Sequence, residues 1–371
     1  MELLRSESAQ NLGIQRDPLV KIVSIKENMK HIPVFFENSD TLYSDINELK
    51  KSSRLDFSIE KLPWNDEWVL KRKNTSLHDN LSSILSSDIL DFIPKSFDSI
   101  GSVAIIEIDR WGELSNQIPD EKQLKQIMKT VAKTILSLHP NIQTVLRKVG
   151  SIGGEFRVRK FEILAGNHQT VTIHKENNAR FYVDPTTMFF SPRLSYERDR
   201  VACLAYTPNS TLIDCFAGCG PYSIQIARNH NVSIFGIEKN PEAFKYYKKN
   251  IALNKKHLRG TVTPFLGDFR DFHKSQSGKS CLGNADYIIM NLPENAHNFI
   301  PNITPFVKTD CTNLVFYTFL KSADPILDAE SKLRRILRTN DLTVVEVTQK
   351  RIVFSYSPNQ NNVGIDIKIK K

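Results

Sequence analysis

Three carboxylates close three successive apolar runs: Asp214 after Thr211–Ile213, Glu238 after Ser233–Ile237, and Asp268 after Thr261–Gly267. Between the first two lies Cys215-Phe-Ala-Gly-Cys-Gly-Pro221. Gly218 and Gly220 permit a tight turn that lets backbone approach a ligand, with Phe216 beside it, and the helix opened by Pro221 adds its free amides. Glu238 follows roughly 20 residues later, where a carboxylate can take both hydroxyls of a ribose. Asp268 and Phe269 put a hydrogen-bonding group and an aromatic ring beside an adenine edge. One acid at a strand end is an ordinary surface residue, but three in succession beside a glycine turn describe a nucleoside site. No third glycine completes a dinucleotide fingerprint, and Pro221 starts the helix at once, so a sulfonium nucleoside fits better than a pyrophosphate.

A second constellation follows the fourth run, in Met290-Asn-Leu-Pro-Glu-Asn-Ala296. Asn291 can donate and accept toward the edge of a planar base, and Leu292-Pro293 stiffens the loop. Read alone, Asn-x-Pro is equally an ordinary strand-to-helix turn. Cys215 and Cys219 line the glycine turn, and no Pro-Cys pair stands in the fourth-run loop, so thiol-based methyl transfer to carbon is set aside. His174, isolated on a strand, reads as structural. The five cysteines show no CxxC pair and no zinc spacing, so no metal is expected.

These residues need a scaffold. With 371 residues, 40% hydrophobic and 25% charged, the chain has material for two or three globular domains. A net charge of +9 suits a polyanionic partner. No run reaches the roughly 18 apolar residues of a membrane span, and the Met-Glu-Leu-Leu-Arg start has no signal-peptide core, so an intracellular protein is expected. Residues 1–80 read as a small α+β module with apolar runs Val20–Ile25 and Ile32–Phe36, and polar Lys71–Asn80 reads as a linker. Residues 81–190 read as an α+β docking domain: a helix over Leu81–Phe92, a strand Ser102–Ile108, and a helix opened by Pro119 with Leu124, Ile127, Met128, Val131 and Ile135 at helical spacing. An antiparallel sheet then takes Val145–Val149, Phe156–Arg159, Phe161–Leu164, Val171–Ile173 and Phe181–Val183, with basic residues along one face. From 191 to 371, strands and helices alternate, which predicts a doubly wound α/β sheet closed by an antiparallel pair, Leu342–Val347 with Val363–Ile369.

The Asp-x-Phe-x-Gly-x-Gly-Pro form resembles motif I of class I S-adenosylmethionine methyltransferases. The resemblance narrows with Arg157-Val-Arg159 and Phe161-Glu-Ile-Leu-Ala-Gly166, then His174-Lys-Glu-Asn177, Phe190-Ser-Pro-Arg-Leu194, Glu197-Arg198, Asn291-Leu-Pro293 and Val363-Gly-Ile-Asp-Ile-Lys368. From about Ser96 to the C-terminus these follow the order and spacing of the archaeal–eukaryotic tRNA (guanine-37-N1)-methyltransferase family.

The resemblance implies S-adenosylmethionine as cofactor, tRNA with guanosine at position 37 as substrate, and a cytoplasmic monomer (or one of the nucleus or mitochondrial matrix in a eukaryote). It implies Glu197 as general base, Arg157 steadying the guanine and Asn291 positioning it, with Pro293 and Asn177 beside the base. It adds Arg193 to the cofactor contacts Asp214, Phe216, Gly218, Gly220, Glu238, Asp268, Phe269 and Asn291. The chemistry is consistent, because guanine N1 is a poor nucleophile until its proton leaves to a nearby carboxylate. Three other readings stay open: a wybutosine-pathway aminocarboxypropyl transferase on the same cofactor, a non-catalytic tRNA-binding module, and a DNA amino-methyltransferase, from which Leu292 and Glu294 depart.

Overall fold

The computed structural model describes residues 22–25, 32–33, 57–60, 76–108, 110–357 and 360–371. The chain divides into two compact units, Met1–Ser76 and Leu77–Lys371. In the first, strands β1 (Ile22–Ile25), β2 (Ile32–Pro33) and β3 (Phe57–Glu60) pair antiparallel in the order β2-β1-β3. The remainder of the runs Val20–Ile25 and Ile32–Phe36, and the first half of the expected linker, lie outside the described residues.

The second unit opens with two short helical turns, Leu77–Leu81 and Ser87–Leu90, where one helix was expected. Strands β4 (Asp98–Ile100), β5 (Val103–Ile106), β6 (Thr144–Gly153) and β7 (Val158–Gly166) then form a sheet in chain order. Helix α1 (Glu121–Leu138), capped where Asp120 accepts from the Lys122 amide at 2.9 Å, buries Leu124, Ile127, Met128, Val131 and Ile135 against Ala104, Ile106, Val145 and Leu164. Because α1 carries the chain back across the sheet, β5 and β6 run parallel. A helical crossover returns the strand in the same direction, while β6 and β7 pair antiparallel as expected. Three basic residues of these strands are paired in place: Lys148 and Arg159 both reach Glu107, and Arg147 reaches Glu162.

Strands β8 (Thr172–Glu176) and β9 (Ala179–Val183) form a separate hairpin rather than joining that sheet. The reason lies in helix α4 below: Asn250 and Asn254 hydrogen-bond the backbone of Tyr182 and Arg180. The hairpin thus packs with the C-terminal layer.

That layer is a sheet in the order β12-β11-β10-β13-β14-β16-β15, made of β10 (Thr211–Asp214), β11 (Ser233–Glu238), β12 (Thr261–Leu266), β13 (Tyr287–Met290), β14 (Thr312–Leu320), β15 (Thr343–Ser357) and β16 (Gln360–Lys370). Strands β10 to β14 run parallel, and β16 is antiparallel to both neighbours. The longer helices are α2 (Ser195–Ala202), α3 (Pro221–Asn229), α4 (Pro241–Asn254) and α5 (Pro325–Thr339). This is the doubly wound α/β architecture expected. The order reverses at β10, so the crevice beyond its carboxyl end is where such sheets hold ligands. Among the described residues no helix is long and apolar enough to cross a membrane.

Candidate active site

The glycine turn lies in that crevice. Gly218 (φ 58°) and Gly220 (φ 87°) both adopt left-handed backbone. At Gly220 a methyl group would sit 2.2 Å from the buried Tyr247 ring, so this glycine answers to packing and does not line the crevice. At Gly218 a methyl would meet nothing within 4 Å, and the residue opens onto a cavity of about 560 Å³. The Gly218 amide donates to Glu238 at 2.7 Å, and the Asn240 amide donates to the other carboxylate oxygen at 2.6 Å. Glu238 therefore pins the turn to the start of α4 while facing the cavity, and burial pushes its carboxyl up.

Asp214 is not a wall residue, which corrects its expected place among direct cofactor contacts. It is 1% exposed, accepts from Ser223 Oγ at 2.7 Å, and supports the turn from beneath. Burial raises its carboxyl to about 6. Asp268 does face the cavity, but Arg270 and Lys239 already engage it at 2.6 and 2.7 Å, and the Arg270 hydrogen bond above all holds it well below the usual carboxylate range. Phe269 and Phe216 line the wall, with Phe299 closing edge-on to Phe216 at 5.0 Å. Burial pushes the Cys219 thiol up to about 12, which removes it as a nucleophile at neutral pH.

The opposite wall belongs to the loop after β13. Asn291 and Pro293 face the cavity, and the loop is tied down where Phe319 N donates to Pro293 O at 3.0 Å. Over the top reaches the β6–β7 turn, Gly154–Arg157. Arg157 holds left-handed backbone (φ 56°), and its guanidinium stands 2.8 Å from the Glu294 carboxylate without hydrogen-bond alignment. Glu155 of the same turn pairs with Lys239. The turn is thus latched to both walls by ion pairs that the sequence did not signal. An adjoining cavity of about 220 Å³ shares Arg157, Phe189, Phe319 and Phe354 with the first.

Three expected residues stand elsewhere. Arg193 forms a two-pronged pair with Asp98 at 3.0 and 3.1 Å and lines the adjoining cavity, so it is not beside the glycine turn. Asn177 occupies the left-handed corner (φ 46°) of the β8–β9 hairpin, where its amide donates to Ser195 O and Gln225, away from the base wall. Glu197 is 3% exposed and does not line the cavity. Its carboxylate accepts from Tyr317 at 2.6 Å, from Arg200 at 2.9 and 3.0 Å, and from Arg351. Burial would raise this carboxyl, but the Arg351 and Arg200 hydrogen bonds outweigh burial and hold it below its ordinary value.

Residues next to Glu197 and to its partner Tyr317 reach the cavity. Leu194, one helical turn before Glu197, lines the cavity, and Phe319, two residues after Tyr317 on the same strand face, does too. No group of His, Cys, Asp and Glu that could hold a metal ion occurs among the described residues.

The TRM5/TYW2 methyltransferase domain matches residues 172–347, and the TYW2 N-terminal domain matches residues 77–170. The tRNA (guanine(37)-N(1))-methyltransferase Trm5b of Pyrococcus abyssi is 36% identical over 278 residues, covering 75% of this chain and 76% of its own. Trm5b of Methanocaldococcus jannaschii is 33% identical over 370 residues, covering 98% and 96%. A Pyrococcus horikoshii tRNA(Phe) (4-demethylwyosine(37)-C(7)) aminocarboxypropyltransferase is 30% identical over 295 residues, covering 80% and 96%. Among solved structures, P. abyssi Trm5b superposes with a TM-score of 0.67 at 29% identity, covering 100% of this chain and 96% of the other. A complex of aTrm5 with tRNALeu gives 0.63 at 30% identity, covering 99% and 96%. P. horikoshii TYW2 in complex with MeSAdo gives 0.62 at 26% identity, covering 80% and 98%.

Proposed function

The chain belongs to the tRNA (guanine-37-N1)-methyltransferase family, and we propose that the 560 Å³ cavity seats S-adenosylmethionine along the glycine turn and an extruded guanine along the Arg157–Asn291 wall. It is an enzyme that transfers a methyl group from S-adenosylmethionine to N1 of guanosine 37 in tRNA. The observation that carries the placement is continuity: Gly218, Glu238 and Phe269 line the same 560 Å³ as Arg157, Asn291 and Pro293.

The residues fit a sulfonium nucleoside. Gly218 leaves open the space a Cβ would fill, Glu238 offers a carboxylate to ribose hydroxyls, and Phe216 and Phe269 give an apolar slot for a planar base. The bound cofactor supplies an electrophilic methyl group; the protein's part is to bind, orient and move a proton.

Guanine must lose its N1 proton, and Glu197 takes it in this proposal. The carboxylate becomes available when Tyr317 or Arg351 gives up its hydrogen bond to the incoming N1–H, and the remaining arginine keeps it ionised. Arg157 faces O6 and stabilises the negative charge that develops there, and Asn291 fixes the base edge. A second reading gives the proton to Glu294, because that carboxylate already stands on the wall beside Arg157.

We propose the division of labour expected from the sequence: residues 1–80 an accessory module, 81–190 tRNA docking, and 191–371 methyl transfer. The lysines of α1 (Lys122, Lys125, Lys129, Lys133) and of α4 (Lys245, Lys248, Lys249), with Lys255, Lys256 and Arg259 beyond it, grip the phosphate backbone, an attraction that weakens as salt rises. A monomer acting in the cytoplasm completes the proposal.

The test separates methyl transfer from its sister reaction by the spent cofactor. Incubation with unmodified tRNA should yield S-adenosylhomocysteine and 1-methylguanosine in equal amounts. No transfer to unmodified tRNA, together with release of 5′-methylthioadenosine in the presence of a tRNA bearing 4-demethylwyosine at position 37, would reassign the enzyme to aminocarboxypropyl transfer.

A further inference from the structure

We propose that Asp366 is a positioning residue for methyl transfer: by sharing the guanidiniums of Arg200 and Arg351, it keeps Glu197 free to accept a proton. The inference deepens the reading above and rests on Glu197 as the acceptor. Both arginines are divided in the same way. Arg200 gives Nε and Nη2 to Glu197 at 3.0 and 2.9 Å, and Nη1 and Nη2 to Asp366 at 2.7 and 3.3 Å. Arg351 gives Nε to Glu197 at 3.0 Å with a second bond from Nη2, and Nη1 and Nη2 to Asp366 at 3.0 and 3.1 Å. Two anions and two cations therefore alternate around a ring that closes helix α2 onto β15 and β16. Strand β16 is shaped for this ring. Gly364, two residues before Asp366 on the same face, is the cross-strand partner of Arg351, and a methyl group there would stand 3.0 Å from Arg351 Nη2.

The charge balance follows from the groups around Glu197. Arg200 comes from its own helix, Tyr317 from β14 with Tyr222 of α3 behind it, and Arg351 from β15, with Asp366 of β16 across the ring. Arg198, next in the chain, is committed to Glu176. With both ring carboxylates ionised, the ring is neutral, and a proton on Glu197 leaves one net positive charge. Without Asp366 the same proton would leave two, and Glu197 would be the sole ring anion for both guanidiniums. A carboxylate so held is a poor base, because nearby cations favour its ionised form whereas a neighbouring anion favours the protonated one. Asp366 also anchors Arg351 while that arginine releases Glu197, since two of its bonds do not involve Glu197.

The test is the single-turnover rate of methyl transfer to tRNA with guanosine at position 37, for the wild type, Glu197→Gln, Asp366→Asn and the double variant Asp366→Asn/Arg351→Gln. At pH 7 Asp366→Asn should be slower by roughly three- to tenfold, the loss expected of a weakened base, with its affinities for tRNA and S-adenosylmethionine unchanged. The deficit should narrow as pH rises, because a guanine that has already lost its N1 proton to solvent needs no base. The double variant returns the ring to one anion and one cation and should recover to within about twofold of the wild type. A deficit equal at every pH, or a double variant slower than Asp366→Asn, would make Asp366 merely structural and overturn the proposal. Should Asp366→Asn not fold, a double variant more than about tenfold below the wild type overturns it. If Glu197→Gln is as fast as the wild type, the acceptor reading itself has failed. If Glu197→Gln is slow and Asp366→Asn is not, only this proposal has.

Discussion

Replacing Glu197 by glutamine removes one charge from a buried cluster while keeping its shape. In the native protein Glu197 and Asp366 are interleaved with Arg200 and Arg351, all with side chains 14% exposed or less. Breaking a buried pair by removing one partner costs about 3–5 kcal/mol. Asp366 remains 2.7 Å from Arg200 and 3.0 Å from Arg351, so the lower end, about 3 kcal/mol at pH 7, is expected. The folded Glu197 carboxyl titrates below the unfolded one, so its contribution is present above the ordinary glutamate range and lost as pH falls through the folded value. Urea titrations at pH 7 and below the ordinary glutamate range should therefore show a gap that narrows as pH falls toward the folded value. Single-turnover methyl transfer, measured where the variant is folded, should fall roughly 10²–10⁴-fold, the contribution of a positioned proton acceptor. A folded Glu197→Gln enzyme within about tenfold of the wild type would reject Glu197 as the acceptor. In that event Glu294→Gln should carry the loss. A variant as stable as the wild type at pH 7 would refute the energetic account of the cluster.

Two further perturbations probe the glycine turn. Gly220→Ala combines left-handed backbone, about 1–2 kcal/mol, with overpacking against Tyr247, about 1–3 kcal/mol, whereas Gly218→Ala should lose only the backbone contribution, about 1–2 kcal/mol, and weaken S-adenosylmethionine binding; a Gly220→Ala loss by urea titration no larger than that of Gly218→Ala would contradict the packing role. Asp214 holds its proton up to about pH 6 when folded and releases it near pH 4 when unfolded, so the folded state binds more protons in between and stability falls across that window, by about 3 kcal/mol. Asp214→Asn should flatten that dependence, and an unchanged pH profile of the melting temperature would show that the buried carboxyl is ionised throughout.

Much of the site was legible because strand ends and glycine turns leave local marks. The run-then-acid pattern at Asp214, Glu238 and Asp268 located the crevice, and Pro221 and Asn291-Leu-Pro293 located its two rims. Spacing does not reveal which way a strand-end side chain points. Asp214 turned inward to Ser223, Arg193 toward Asp98, and Asn177 into a hairpin corner that only a left-handed residue could make. Glu197 was found by resemblance, yet its burial among Tyr317, Arg200 and Arg351 depends on strands far along the chain. The same holds for the β6–β7 turn, whose place over the cavity rests on Glu155–Lys239 and Arg157–Glu294, pairs between segments that share no sequence pattern. The pairing of Lys148 and Arg159 with Glu107, just beyond β5, likewise carried no local mark.

The central claim is methyl transfer to N1 of guanosine 37, and methylation of two unmodified tRNA transcripts that differ only at position 37 tests it most directly. With labelled S-adenosylmethionine and nucleoside analysis, the guanosine transcript should yield 1-methylguanosine and the adenosine transcript no labelled nucleoside. Label on both transcripts, or label recovered in any other nucleoside, would contradict the assignment of the cavity to that guanine.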